Sequence, residues 1–109
     1  MTVSELTAAL GVTPLAMPDP EREVTGAYAG DLLSWVMGRA KEGNVWVTVM
    51  TNANTIAVAT LSDSSLIIIS DGSDVPGDII ALAEEKGVNL AKAELSTYEL
   101  CVQIGKLLS

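Results

Sequence analysis

The chain has 109 residues, an apolar fraction of 49% and a net charge of −8 from 14 acidic and 6 basic side chains. That length suits one domain with a core large enough to need no metal or disulfide staple, and the apolar share argues against disorder. The basic residues (Arg22, Arg39, Lys41, Lys86, Lys92 and Lys106) are scattered, whereas nucleic acid and anionic membrane require them clustered, so neither is expected as a partner.

Thr2 and Glu5 form a T-x-x-E capping box ahead of Leu6, Ala9 and Leu10, and Gly11 ends the short helix. The same stretch has no basic flank and carries Glu5, so it does not read as a signal peptide. Residues 13–17 read as a short strand, broken by Pro18, Asp19 and Pro20. Residues 18–21 are the one candidate hinge and are too short to separate domains. Residues 24–28 read as a second extended segment.

Asp31 is placed to N-cap a helix over 32–41, closed by Gly43 and Asn44. Residues 45–49, V-W-V-T-V, form the clearest strand. Asn52 or Asn54 caps a helix over 55–61, whose Ala57 and Ala59 allow close packing on a sheet. Residues 66–69, L-I-I-I, are apolar on both faces, which marks a strand covered on both sides. Residues 71–74 read as a loop, and Pro76 lies in the first turn of a helix that buries Ile79, Ile80 and Ala83. Gly87 ends that helix, with Val88 as its apolar contact. Residues 89–92 read as a short, peripheral strand. Ser96 and Glu99 form a second capping box, opening a helix to Leu108. The single cysteine, Cys101, has Leu100, Val102 and Ile104 as neighbours and reads as a small buried apolar side chain.

From residue 24 the order is β-α-β-α-β-α-β-α. Strands separated by helices are parallel, with right-handed crossovers. The expectation is an α/β fold: a three-layer α/β/α sandwich with a mainly parallel sheet of four to five strands, built as a single domain over residues 1–109.

No run approaches the roughly 20 apolar residues that span a bilayer, and a cytoplasmic location is expected. The chain has no histidine, the commonest general base and metal ligand. Phosphate-loop, dinucleotide-binding and nucleophile-elbow patterns are absent. No catalytic residue, metal site or cofactor is therefore assigned. Were the chain an enzyme, Asp31 or Asp71 would be its general base. In open parallel sheets, ligands bind beyond the carboxyl ends of the strands. The candidate ligand-binding residues there are Asp31, Ser34, Thr51, Asn54, Asp71, Gly72, Ser96 and Thr97. Helix N-termini at that end suit an anion, although the same residue types serve as helix caps.

Leu32, Leu33, Trp35, Val36 and Met37 wrap most of one helix, and Leu100, Cys101, Val102, Ile104, Leu107 and Leu108 do the same for the last. A helix apolar all round needs cover on every side. Either a two-fold homodimer or a thick monomer core supplies it.

The opening T-V-S-E-L-T-A-A-L-G-V-T-P-L-A and E-R-E-V-T-G-A-Y resemble the start of the N-terminal domain of HPr kinase/phosphorylase. The later I-I-I-S-D-G, P-G-D-I-I-A-L-A-E-E-K-G-V-N-L and L-S-T-Y-E resemble the DRTGG domain, which also occurs in phosphotransacetylases and beside CBS domains. The middle, from Asp31 through Ala59, is similar to small stand-alone DRTGG-type proteins of anaerobic bacteria. The literal D-R-T-G-G string is absent. The resemblance implies an α/β/α sandwich that serves as a regulatory or assembly module, since the kinase phosphate loop belongs to the other domain of HPr kinase. The segments Asp31-Leu32-Leu33-Ser34 and Thr51-x-x-Asn54 match the stand-alone group and take the site assignment there. The expected function is a dimeric, non-catalytic regulatory or ligand-sensing module for a small anionic metabolite or nucleotide. The alternative is a protein-interaction subunit of a larger redox or signalling complex.

Overall fold

The computed structural model describes residues 1–109. Two water-excluded strands, β3 (Asn44–Thr48) and β4 (Leu66–Ile69), lie side by side and parallel at its centre, with Val45 opposite Leu66 and Thr48 opposite Ile69. Every residue of both is buried. β2 (Gly26–Ala29) adds to β3, and β5 (Leu90–Lys92) adds to β4, both in parallel. β1 (Thr13–Ala16) pairs with β5 antiparallel, so the five-stranded sheet runs β1-β5-β4-β3-β2.

Strand alternation sorts the core into two halves. Trp46, Ile67, Ile69 and Leu90 face Val36, Ile56, Ala59, Ile79 and Ala83, which come from α2 (Leu33–Arg39), α3 (Ala53–Leu61) and α4 (Gly77–Lys86). Val45, Val47, Leu66, Ile68 and Ala91 face Val3 and Leu6 of α1 (Val3–Leu10) and Leu100 and Ile104 of α5 (Thr97–Leu108). This is the α/β/α sandwich expected from the sequence. On one face α2 packs beside α3 and α3 beside α4; on the other, α1 packs beside α5, and α5 lies over β2 and β3.

Local chemistry explains most boundaries. Thr2 Oγ1 accepts from the Glu5 N–H at 3.1 Å while Glu5 Oε1 accepts from the Thr2 N–H at 2.9 Å, completing the expected box. Gly43, at φ +81, closes the turn into β3, where a Cβ would sit 2.7 Å from Thr25 Cγ2. Asn89 is buried and saturated: its amide donates to the Asp19 carbonyl at 2.7 Å and the Ser65 carbonyl at 2.9 Å, and accepts from the Asp19 N–H at 3.0 Å. The candidate hinge at residues 18–21 is thereby pinned to the start of β5.

Four expectations need correction. The segment 89–92 is not peripheral, because β1 docks outside it and puts β5 in the sheet interior. Asp31 is not the cap of α2; Leu32 holds that position with no side-chain bond, and the Asp31 carboxylate is drawn to β3 instead. Only half of the box at Ser96 forms: Ser96 Oγ accepts from the Glu99 N–H at 3.2 Å, but Glu99 Oε1 takes the Ser96 hydroxyl at 3.1 Å, not its N–H. The thick monomer core does not extend to α2. Val36 is buried, yet Leu32, Trp35 and Met37 are 59, 52 and 44% exposed. In α5, Leu100 and Ile104 are buried, Cys101 and Leu108 are half-buried, and Val102 and Leu107 reach solvent.

Candidate functional site

The carboxyl ends of β3 and β4 each carry a small hydroxyl–carboxylate knot. At the first, Trp46 is fully buried and its indole N–H donates to the Gly30 carbonyl at 2.8 Å, which fixes the exit from β2. Asp31 follows. Its Oδ1 accepts from the buried Thr48 hydroxyl at 2.7 Å and from the Val49 N–H at 3.0 Å. Thr48 Oγ1 in turn accepts from the Met50 N–H at 3.2 Å. The turn after β3 is thus organised by a carboxylate from the neighbouring connection.

At the second knot the Ser70 and Thr97 hydroxyls share one hydrogen bond at 2.6 Å, and the hydroxyl that accepts there donates to Asp71 Oδ2, which lies 3.1 Å from Thr97 Oγ1 and 3.4 Å from Ser70 Oγ. Asp71 and Gly72 are both left-handed, at φ +62 and +63. Their N–H groups donate to the Leu95 and Ala93 carbonyls at 2.8 and 2.9 Å, stitching the loop after β4 to the loop after β5. Glycine suits position 72 because an L side chain is strained at this φ; a Cβ there would also push the exposed Glu94 carboxylate aside.

The eight sequence-predicted residues therefore divide. Asp71, Gly72 and Thr97 meet in the second knot, with Ser96 beside it but committed to capping α5. Asp31 belongs to the first knot. Thr51 and Asn54 flank Asn52, whose Oδ1 caps α3 by accepting from the Asn54 N–H at 2.9 Å and the Thr55 N–H at 3.3 Å. Ser34 stands exposed on α2, outside both knots. Sequence reasoning missed Thr48, which read as an interior strand position, and did not single out Glu94. A polar residue at the last position of an apolar strand was the available signal for Thr48.

The electrostatics at this end are acidic. Asp31, Asp71, Asp74 and Glu94 follow the parallel strands, and Lys92 is the one cation among them, 3.5 Å from Asp74. A groove of about 330 Å³ opens beside the second knot, lined by residues including Thr13, Lys92, Glu94 and Glu99. Glu94 is the shared wall between this groove and Gly72. The other two cavities lie away from the knots, one between β2 and α5 and one between α3 and α4. No group of three or more Cys, Asp or Glu side chains is arranged to hold a metal, and no helix is long and apolar enough to cross a membrane.

No family model matches the sequence, and no curated protein does. Among solved structures, the chain is similar to the CBS and DRTGG domains of the regulatory region of Clostridium perfringens pyrophosphatase, complexed with the activator diadenosine tetraphosphate. The TM-score is 0.71 at 16% identity, over 94% of this chain and 45% of that one. The likeness is one of fold. It supports the DRTGG-like architecture expected from the sequence, and this chain spans less than half of the region it matches.

Proposed function

We propose that this chain is a non-catalytic, DRTGG-like regulatory module, one domain over residues 1–109, that works as a pair of identical chains and senses a small molecule at the carboxyl edge of its sheet. The observation that carries the ligand assignment is the Ser70–Asp71–Thr97 knot: a left-handed turn, buried hydroxyl and helix start tied together beside an open groove. A molecule in the groove reaches the turn through Glu94, which lines the groove and lies against Gly72, and the turn is bonded to the loop after β5 and to Thr97 at the start of α5, two places able to carry a change onward. The pyrophosphatase region of similar fold, solved with a nucleotide activator, supports the same class of role.

The charge of the site refines the chemistry. Acceptors outnumber donors, because the Asp71, Gly72 and Val49 N–H groups are already bonded within the protein. A bare phosphate gains little against four carboxylates and one lysine. A nucleotide whose base or sugar supplies hydrogen-bond donors, with its phosphates accompanied by a divalent cation, fits better. Thermal-shift measurements with nucleotides and phosphorylated metabolites, each with and without Mg²⁺, test this. At 100 times Kd a bound ligand stabilises by about 2.7 kcal/mol, which is readily seen as a rise in Tm. Thr97→Val is expected to weaken the response. Silence from every compound overturns the ligand assignment.

A second reading, a protein-interaction subunit, is favoured by the exposed Leu32, Trp35 and Met37 on α2. Pull-down of the native chain with mass measurement separates the two: a stoichiometric foreign protein supports the second, and a pure pair of identical chains supports the first.

A further inference from the structure

The two edges of the sheet are built differently. β1 is blunted in the usual protective way: it contains Pro14, its pairing with β5 shifts register between Pro14 and Ala16, and it borders a groove lined by charged side chains. β2 has none of these guards. Its sequence is G-A-Y-A, with no charge, no proline and no bulge in its pairing to β3, and no strand lies outside it. The outer row of its N–H and C=O groups is a template for another strand.

Both flanks of this edge are apolar and uncovered. On one face α2 ends the row of helices and exposes Leu32 and Trp35, with the Arg39 guanidinium stacked 3.8 Å from the Trp35 ring centre. On the other, a groove of about 390 Å³ runs between β2 and α5, lined by Ala27, Ala29, Cys101, Gly105 and Leu108 among others. A strand edge with an open helix on each side is half of a continuous sandwich.

Charge says what completes it. A chain of net charge −8 repels its own copies. Residues 24–62, which build β2, α2, β3 and α3, carry Asp31 and Glu42 against Arg39 and Lys41, which cancel. Residues 100–109 add only Lys106. Most of the negative charge therefore lies in the rest of the chain, so the β2 side meets a like copy with less repulsion; Glu23, just before β2, is paired with the amino terminus at 3.1 Å.

We propose that two copies of this chain join edge to edge through β2, antiparallel across a two-fold axis, making one ten-stranded sheet with α2 beside its twin on one face and α5 beside its twin on the other. This rests on the paired reading above and supplies its geometry. The interface is isologous, so each β2 both donates to and accepts from the other.

Sedimentation velocity of the full chain across a concentration series tests the proposal, with Trp35→Glu and Ala27→Glu as disrupting variants and Thr13→Glu, on the β1 edge, as control. Trp35, Ala27 and Thr13 are all exposed, so the variants retain the fold, which circular dichroism checks. The expected result is twice the 11.4 kDa chain mass for wild type and Thr13→Glu, and at least a tenfold weaker association for the other two. Hydrogen exchange at residues 26–29 is expected to slow as concentration rises. A wild-type monomer at all concentrations overturns the paired reading and this geometry together. A pair that persists in both disrupting variants, with fast exchange at β2, overturns the geometry and leaves pairing through another surface. Capture of a different protein by β2 in place of a second copy also overturns it.

Discussion

At the scale of single residues, the most informative side chains are those whose polarity the core does or does not answer. Thr55 and Ser65 are buried, and neither hydroxyl has a partner. An unpaired buried hydroxyl costs about 1–3 kcal/mol, and valine has nearly the shape of threonine. Thr55→Val is expected to stabilise the protein by about 1 kcal/mol, read from the urea midpoint; a loss of stability would show that Thr55 has a partner in solution. Asp63 shows the opposite case. The Arg22 guanidinium donates to its carboxylate at 2.7 Å and to its carbonyl at 2.9 Å, and this hydrogen bond holds the Asp63 carboxyl below the ordinary carboxylate range. A depressed carboxyl contributes stability that is present above its unfolded value, about pH 4, and is lost as pH falls through the folded value. Because the pair is half exposed the contribution is small. Arg22→Ala is expected to lower the urea midpoint near pH 6, and the gap to wild type is expected to narrow toward about pH 2.5. A gap constant with pH would assign the loss to packing of the arginine stem alone.

At the scale of elements, the connections matter more than the helices they join. Asn89 fastens the segment after β1 to the starts of β4 and β5 with three hydrogen bonds. Asn89→Ala leaves the buried Ser65 carbonyl unpaired and the Asp19 groups to solvent, with an expected loss of about 1–3 kcal/mol; denaturant unfolding checks it, and a loss below about 1 kcal/mol would mean that water replaces the amide. These long-range ties were the part of the structure least legible in the sequence. The runs at 45–49 and 66–69 announced buried strands because apolar residues on both faces have no other use, and the glycines and Ser96 marked helix ends through local geometry. Asp31 was misread for a physical reason. Its sequence neighbours make it an ideal cap, but β3 presents a hydroxyl and a free N–H within its reach, and the carboxylate takes the stronger pair. The sheet position of β5 was likewise unreadable, since a three-residue strand looks the same with one neighbour or two.

At the scale of the whole molecule, the sequence made the layered architecture legible and left the site half drawn. Topology points to the carboxyl edge of the sheet, and Asp71, Gly72 and Thr97 converge there. The groove beside them was not foreseen, because Lys92, Glu94 and Glu99 come from elements whose mutual placement depends on the whole sheet. The expected anion preference also depended on counting free N–H groups, and tertiary contacts consume several of them. The apolar surplus was correctly sensed as more than a single chain buries, and the structure locates it on α2 and on the outer rim of α5.

The placement of β1 has a consequence for how the chain assembles. Thr13 finds its partner at Lys92, so an early strand has no place in the sheet until nearly the last one has formed. During synthesis β1 is made before its strand partner and stays unpaired until β5 emerges. Folding is then a late, concerted event governed by distant pairings, which slow the search for the native state. Removing β5 would leave β1 without a strand to pair with.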